Sequence, residues 1–326
     1  LTRIQAILLD GHFVLEHRAR ATSGRFFNFN GTAGVWRRRA IVDSGGWTQD
    51  TLTEDLDLSY RAQLAGWRFV FLPDLTVPAE LPVDIHGFKR QQFRWAKGSI
   101  QTARKLLRRV LAAPLPRRTR LEALIHLTNN GAYLMMISLS LLVFPAMVVR
   151  HNHGLHWLTW ADLALFATAT VPIMIFYLVS QIAVRPRRPD QAIHLLSLMA
   201  VGIGLSVNNA RAVVSGLFTE GGVFERTPKY RIEQRGDSWR AKRYRADTDA
   251  TFVLEGLFAA YHLAGIYFAW RLDLWASLPF LVLFAAGYGY VFALSAWRQL
   301  AARRSLPAAP PPPAHLAPDT LPGRPG

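Results

Sequence analysis

Five stretches in the second half of the chain are long and apolar enough to cross a bilayer, at about 123–149, 158–184, 193–218, 251–270 and 274–297. No other feature restricts the fold as strongly. A spanning helix needs roughly 20 apolar residues, and in hydrocarbon every backbone polar group has to be satisfied within the segment. Residues 121–300 are therefore expected to form a helical transmembrane region. Before about Arg120 polar and apolar residues alternate as they do in a soluble domain, so the 326 residues divide between two solvents.

Charge orients this layout. The net charge of +16 is concentrated beside the apolar runs, at Arg117, Arg118, Arg120, Arg185, Arg187, Arg188 and Arg240 to Arg245. That placement fits membrane lipids with anionic headgroups, or phosphate ligands, and not nucleic acid, which gives no reason for bilayer-length segments alongside. Five crossings would leave residues 219–250, with their eight Lys and Arg, outside. Cytoplasmic loops carry the basic excess, so we read 193–218, which holds Asn208, Asn209 and Arg211, as interfacial or re-entrant. Four spans remain (123–149, 158–184, 251–270 and 274–297), with the 219–250 loop cytosolic and a proline-rich tail at 301–326 whose composition predicts disorder. The absence of cysteine excludes disulfides and thiol chemistry. Leu1 stands in what reads as mid-helix sequence, from which we expect residues upstream of it.

Residues 1–83 read as a soluble α/β unit. A helix is predicted over 1–20, short strands over Arg25–Asn30 and Trp67–Leu72, and a helix over Glu54–Ala65. That helix turns Leu56, Tyr60 and Leu64 inward and stops at Gly66, and Thr51 and Glu54 have the spacing of a capping box. Asp55 falls in its first turn, where the helix N-terminus favours an ionised carboxylate. Residues 84–120 follow as interfacial amphipathic helices: Lys89 to Arg109 hold eight basic residues and no acidic one along an apolar side, the composition of a helix in the headgroup plane.

Gln91, Arg94 and Trp95 stand at i, i+3 and i+4 and so project from one helix face. A carboxylate can deprotonate a hydroxyl, a guanidinium can hold phosphate, and an indole can stack on a sugar ring; together with Asp55 they suggest chemistry on an anionic, sugar-bearing substrate beside the bilayer. Each residue also has a plainer reading: a first-turn acid as dipole partner, Arg94 as a snorkelling cation, Trp95 as an interfacial belt residue. His151, His153 and His156 share a glycine-containing loop without a carboxylate and read as solvated. Glu255 and His262, seven apart on one helical face, are candidates for lining a wet path through the bundle, with Glu255 alternatively at the cytosolic edge.

Phe29-Asn30-Gly31-Thr32-Ala33-Gly34, Thr53-Glu54-Asp55, Gln91-x-x-Arg94-Trp95 and Phe224-Glu225-Arg226-Thr227-Pro228-Lys229 occur in this order. In that order, and with the membrane layout, roughly residues 1–300 resemble the membrane-integrated family 2 glycosyltransferases, the cellulose synthase and glucomannan synthase-like enzymes. The resemblance implies a glycosyltransferase A-type, Rossmann-like α/β domain, here only its C-terminal part, over interfacial helices and a transmembrane bundle. It implies inverting transfer of a hexose from a nucleotide sugar, UDP-glucose or GDP-mannose, to a growing β-linked polysaccharide at the cytosolic face of the plasma (inner) membrane. Transfer of one sugar to a lipid acceptor is the alternative, and a non-catalytic transporter or scaffold a third reading. By the same resemblance Asp55 is the general base, positioned by Glu54 and Thr53. Trp95 and the segment Phe29, Asn30, Gly31, Thr32 would bind the acceptor. Gln91 and Arg94, with Arg226, Thr227 and Lys229 of a gating loop, would meet the donor diphosphate. The family's Asp-x-Asp, which holds magnesium or manganese, has no match here and is expected upstream, so this chain is expected to bind donor poorly and to be inactive alone.

Overall fold

The computed structural model describes residues 1–155, 157–184, 193–223, 227 and 250–304. The first helix, α1 (Thr2–Asp10), runs without a break through a π-helical segment, Gly11–His17, into α2 (Arg18–Thr22). Next come α3 (Arg38–Asp43) and α4 (Glu54–Leu64). Thr53 caps α4 by backbone alone, Glu54, Asp55 and Asp57 fill its first turn, and Gly66 at φ +89° ends it. The predicted capping box does not form: Thr53, not Thr51, is the cap residue and makes no side-chain cap bond.

No strand occurs among the described residues, which corrects the expected α/β sheet. The two predicted strands, 25–30 and 67–72, have no regular secondary structure; the rings of Phe27 and Phe69 lie 5.6 Å apart, but the segments form no ladder. A side chain takes the ladder's place. Gln63 on α4 accepts from the Phe27 N–H at 3.2 Å and donates to its carbonyl at 2.8 Å, and Ser59 Oγ accepts from the Phe29 N–H at 2.9 Å. An extended run becomes a strand only when another backbone supplies its partners, and here α4 does so instead.

Then α5 (Ile85–Ala112) forms the spine of the molecule. The Asp84 carboxylate accepts from the Gly87 N–H at 2.8 Å to start it, and Pro114 and Pro116 follow its end. Its first turns, Ile85 and Phe88, pack with Ile4 and Ile7 of α1 and with Leu195, Leu198 and Val201. Its last turns, Ala103, Leu106 and Val110, pack with Leu56 and Tyr60 of α4 and with Ala123 and Leu127. The apolar side expected to float on lipid is thus covered by protein along much of its length.

A long apolar rod follows, α6 (Arg117–Thr128) and α7 (Ala132–Asn152) joined by a tight turn at Asn129–Gly131. The lower part, α6, belongs to the soluble core through Ala123 and Leu127, so the lipid-length stretch starts later than the sequence suggests. Next come α8 (Leu158–Val184), the pair α9 (Ile193–Gly204) and α10 (Ser206–Phe218), α11 (Thr251–Arg271) and α12 (Leu278–Arg304). Four helical rods among the described residues are long and apolar enough to cross a membrane, Arg117–Asn152, Trp160–Val184, Thr251–Arg271 and Trp275–Leu300. The α9–α10 pair meets the same measure only if counted as one span, and it is bent by 46°. Leu195 near its start belongs to the cluster that α1 shares with the first turns of α5, while α10 lies along α5: Asn208 donates to the Lys89 carbonyl at 2.9 Å, and a Cβ on Gly216 would lie 2.8 Å from the Lys97 carbonyl. At the bend, Gly204 crosses Gly287 of α12 so closely that a Cβ on either would strike the other helix's backbone.

Candidate active site

Asp55 is held by two backbone donors. Its Oδ2 accepts from the Gly31 N–H at 2.9 Å and its Oδ1 from the Leu56 N–H at 2.8 Å. The first bond joins two sequence motifs twenty-four residues apart, and it depends on a turn in which Gly31 sits at φ +61°, a left-handed conformation that glycine adopts without strain. Ser59 continues the connection, donating to the Asp55 carbonyl at 2.5 Å while accepting from the Phe29 N–H. Burial raises the Asp55 pKa above the ordinary aspartate value, and the neighbouring Glu54 charge adds to this against the two N–H bonds. A carboxylate with a raised pKa is, once ionised, a stronger base than a free aspartate.

The candidate acceptor segment divides into a packed and an open part. Phe29 is half-buried, its ring 5.4 Å from that of Trp36, and Asn30 is half-buried, while Gly31 and Thr32 are exposed. Below them His17 reaches Asn28 at 3.4 Å and Asn30 at 3.5 Å. Burial and the charge of His12, whose tilted ring lies 4.3 Å away, push the His17 pKa down to about 3, so its imidazole is neutral and positions these amides without adding charge.

On α5, Arg94 lies in the field of both Glu54 and Asp55, whose charges oppose the lowering of its pKa by burial. Gln91 is half-buried, and Trp95 is 39% exposed with no other ring packed on it among the described residues. The helix can approach the Thr53–Asp55 turn because it carries a glycine there: a Cβ on Gly98 would stand 2.5 Å from Thr53 Oγ1 and 2.8 Å from its backbone nitrogen. One turn on, Gln101 accepts from the Leu52 N–H at 2.9 Å and donates to the carbonyls of Thr219 and Gly221 at 3.0 and 2.9 Å. Lys105 pairs with Asp50 and Asp57 at 2.8 and 3.0 Å, and Arg61 holds the other Asp57 oxygen at 2.7 Å. Gly98 and Gln101 escaped the sequence reading, although a lone glycine inside a strongly helical pattern is itself a sign of close approach.

Asp55, Glu54, Thr53, Gly31 and Arg94 are thus brought together, and Gln91 and Trp95 share the Arg94 helix. Of the candidate loop residues, Thr227 is half-buried, and Arg226 and Lys229 lie outside the described residues, as do Arg185 to Arg188, Arg240 to Arg245 and the tail from 305. Glu255 and His262 do not line an open path: both are fully buried, Glu255 against Lys89 and His262 hydrogen-bonded to Ser140 at 2.7 Å. The described residues do not suit a divalent metal. They contain no group of three or more possible ligands, the Asp55 oxygens are taken by backbone N–H groups, and Asp57 is taken by cations.

The geometry thus sets a held carboxylate beside a cation-bearing helix, in a chain with four helical rods among the described residues apolar enough to cross a membrane. The model of glycosyl transferase family group 2 matches residues 2–184, more than half of the chain, which therefore belongs to that family. Over 308 residues the chain is 32% identical to glucomannan 4-beta-mannosyltransferase 7 of Arabidopsis thaliana, covering 89% of this chain and 52% of that protein. It is 36% identical over 178 residues to glucomannan 4-beta-mannosyltransferase 1 of Cyamopsis tetragonoloba, covering 53% and 33%. With the probable glucomannan 4-beta-mannosyltransferase 7 of Oryza sativa subsp. japonica it shares 48% identity over 113 residues, covering 35% and 19%. The chain thus spans at most about half the length of these relatives. No solved structure matches it.

Proposed function

We propose that this chain carries the acceptor side of an inverting glycosyltransferase that moves a hexose from a nucleotide sugar to a growing β-linked polysaccharide at the cytosolic face of the plasma membrane. One observation carries the reading. The Asp55 carboxylate is fixed by the Gly31 N–H in the field of Arg94, so that three motifs meet at one point. Asp55 takes the proton of an acceptor hydroxyl as its oxygen attacks the anomeric carbon. The bond from that carbon to the donor diphosphate breaks from the opposite side, the electron pair leaves with the diphosphate, and one base suffices for inversion. Arg94 and Gln91 stabilise the negative charge growing on the leaving group, with Arg226, Thr227 and Lys229 assigned to the same task. Trp95, with its open indole face, stacks on the acceptor sugar beside Phe29 to Thr32. Glu54 and Thr53 hold the base in place. A divalent metal, magnesium or manganese, belongs to the donor side, and none of these steps passes through it.

The relatives' printed names favour mannose over glucose as the transferred sugar, hence GDP-mannose over UDP-glucose, and favour a polysaccharide over a lipid acceptor. Radiolabelled GDP-mannose and UDP-glucose, given in turn to the full-length protein in lipid, test the reading. The expected result is labelled polymer that disappears in Asp55→Asn, a loss of at least ~100-fold, with donor binding retained. Product confined to organic-soluble glycolipid would select the lipid-acceptor alternative, and normal turnover in Asp55→Asn would remove the base assignment.

A further inference from the structure

Lys89 and Glu255 form a buried ion pair that joins the motif-bearing helix to a membrane span. Lys89 Nζ lies 2.6 Å from Glu255 Oε1 and donates to Thr251 Oγ1 at 2.9 Å, and side-chain exposure is 2% for Lys89 and 0% for Glu255. Ser295 of α12 stands 3.4 Å from the other Glu255 oxygen, and Asn208 of α10 donates to the Lys89 carbonyl at 2.9 Å. Two elements of the bundle, α10 and α11, thus meet on Lys89 of α5, and α12 joins the pair through Ser295 and Glu255. A charge in a span is costly unless paired, and removing one partner of a buried pair leaves the other uncompensated.

Helix geometry gives the pair its consequence. At about 100° per residue, Gln91, Arg94 and Trp95 stand roughly 200°, 140° and 240° around the helix from Lys89. Their mean direction is opposite to it. We infer that the Lys89–Glu255 pair is a pin that sets the roll of α5, so that these two residues are positioning residues acting through Arg94 and Trp95 on the alignment of acceptor and leaving group. Without the pin the first turns of α5 can roll, and a small roll swings the guanidinium and indole away from Asp55 while the far end of the helix stays held by Gln101, Lys105 and the core around Leu106. The kinetic arm of the test rests on the sugar-transfer reading; the structural arm does not.

The experiment uses the full-length protein in lipid nanodiscs, in a cysteine-free background with nitroxides on cysteines replacing the half-buried Gln92 and the exposed Trp297, to report the roll of the first turns of α5 against α12. Lys89→Met, Glu255→Gln and the exchange Lys89→Glu with Glu255→Lys are compared. The single changes are expected to shift or broaden the inter-label distance and to lower kcat by ~10-fold or more, with donor KM within ~3-fold, since misalignment affects the reacting geometry more than ground-state binding. The exchange is expected to restore both distance and kcat. Unmoved labels with kcat within ~2-fold of the parent in folded single variants would overturn the proposal. So would an exchange variant that folds without restoring distance or rate. If Lys89→Met does not fold, the milder Glu255→Gln and the exchange decide between the same two outcomes. Absence of sugar transfer in the parent would defeat the functional reading, and the label distances would still judge the pin.

Discussion

Asp55 owes its character to two opposed effects: burial and Glu54 raise its pKa, and the N–H groups of Gly31 and Leu56 hold it down, with burial prevailing. A base works only when ionised, so activity should fall as the pH drops through this raised value. The acid limb of kcat/KM is predicted to have its half-point above the ordinary aspartate value of 3.8, and a limb at or below 3.8 would contradict it. His17, already neutral because burial pushes it down to about 3, should add no second step near neutrality. Gly98→Ala places a methyl 2.8 Å from the Thr53 nitrogen, which is backbone and cannot rotate away. A cost of about 1–3 kcal/mol and a displaced Thr53–Asp55 turn are expected, measurable as a lower thermal midpoint and a reduced kcat. Asp55, Arg94 and Trp95 stand out as candidates in the sequence because their residue types and spacing suit the proposed chemistry. Gly98 and Gln101 do not, since they work through contacts with segments distant in sequence, Thr53 for Gly98 and Leu52, Thr219 and Gly221 for Gln101.

Among the elements, α4 does what a neighbouring strand was expected to do. Gln63 satisfies both backbone groups of Phe27, so Gln63→Leu keeps the bulk and removes both hydrogen bonds. A loss of about 1–3 kcal/mol is expected on thermal unfolding, with the Phe29–Thr32 segment loosened and acceptor KM raised more than donor KM. The helices themselves followed from the sequence: apolar periodicity placed α4 and α5, acidic residues open α4, and Gly66 closes it. The strands at 25–30 and 67–72 failed because alternating aromatic residues report an extended backbone without saying what will bond to it.

At the scale of the whole molecule, the α9–α10 pair decides how many times the chain crosses lipid. α10 lies along α5, where Asn208 donates to the Lys89 carbonyl at 2.9 Å and the carbonyls of Gly216 and Thr219 accept from Arg104 at 3.2 Å. We propose that the pair does not cross, since the basic excess around Arg117 puts the helix that carries the motif on the cytosolic side. Single cysteines at Asn152 and Trp275 are predicted to react with an impermeant maleimide from outside, and cysteines at Arg118 and Ala250 only after lysis. Outside labelling at Ala250 would mean five crossings and would move the site's neighbours across the membrane.

The sequence alone determined where the long apolar runs fall, the positions of the long helices, and the candidate carboxylate, cation and indole, because hydrophobic run length, helical period and side-chain chemistry are local properties. Tertiary structure alone decided that Gly31 bonds Asp55, that Gly98 admits the Thr53 turn, that α4 replaces a sheet partner, and that Glu255 is paired with Lys89 instead of lining a path. Each of these depends on which distant backbone arrives within about 3 Å of a given atom, and no pattern along a single chain encodes that arrival.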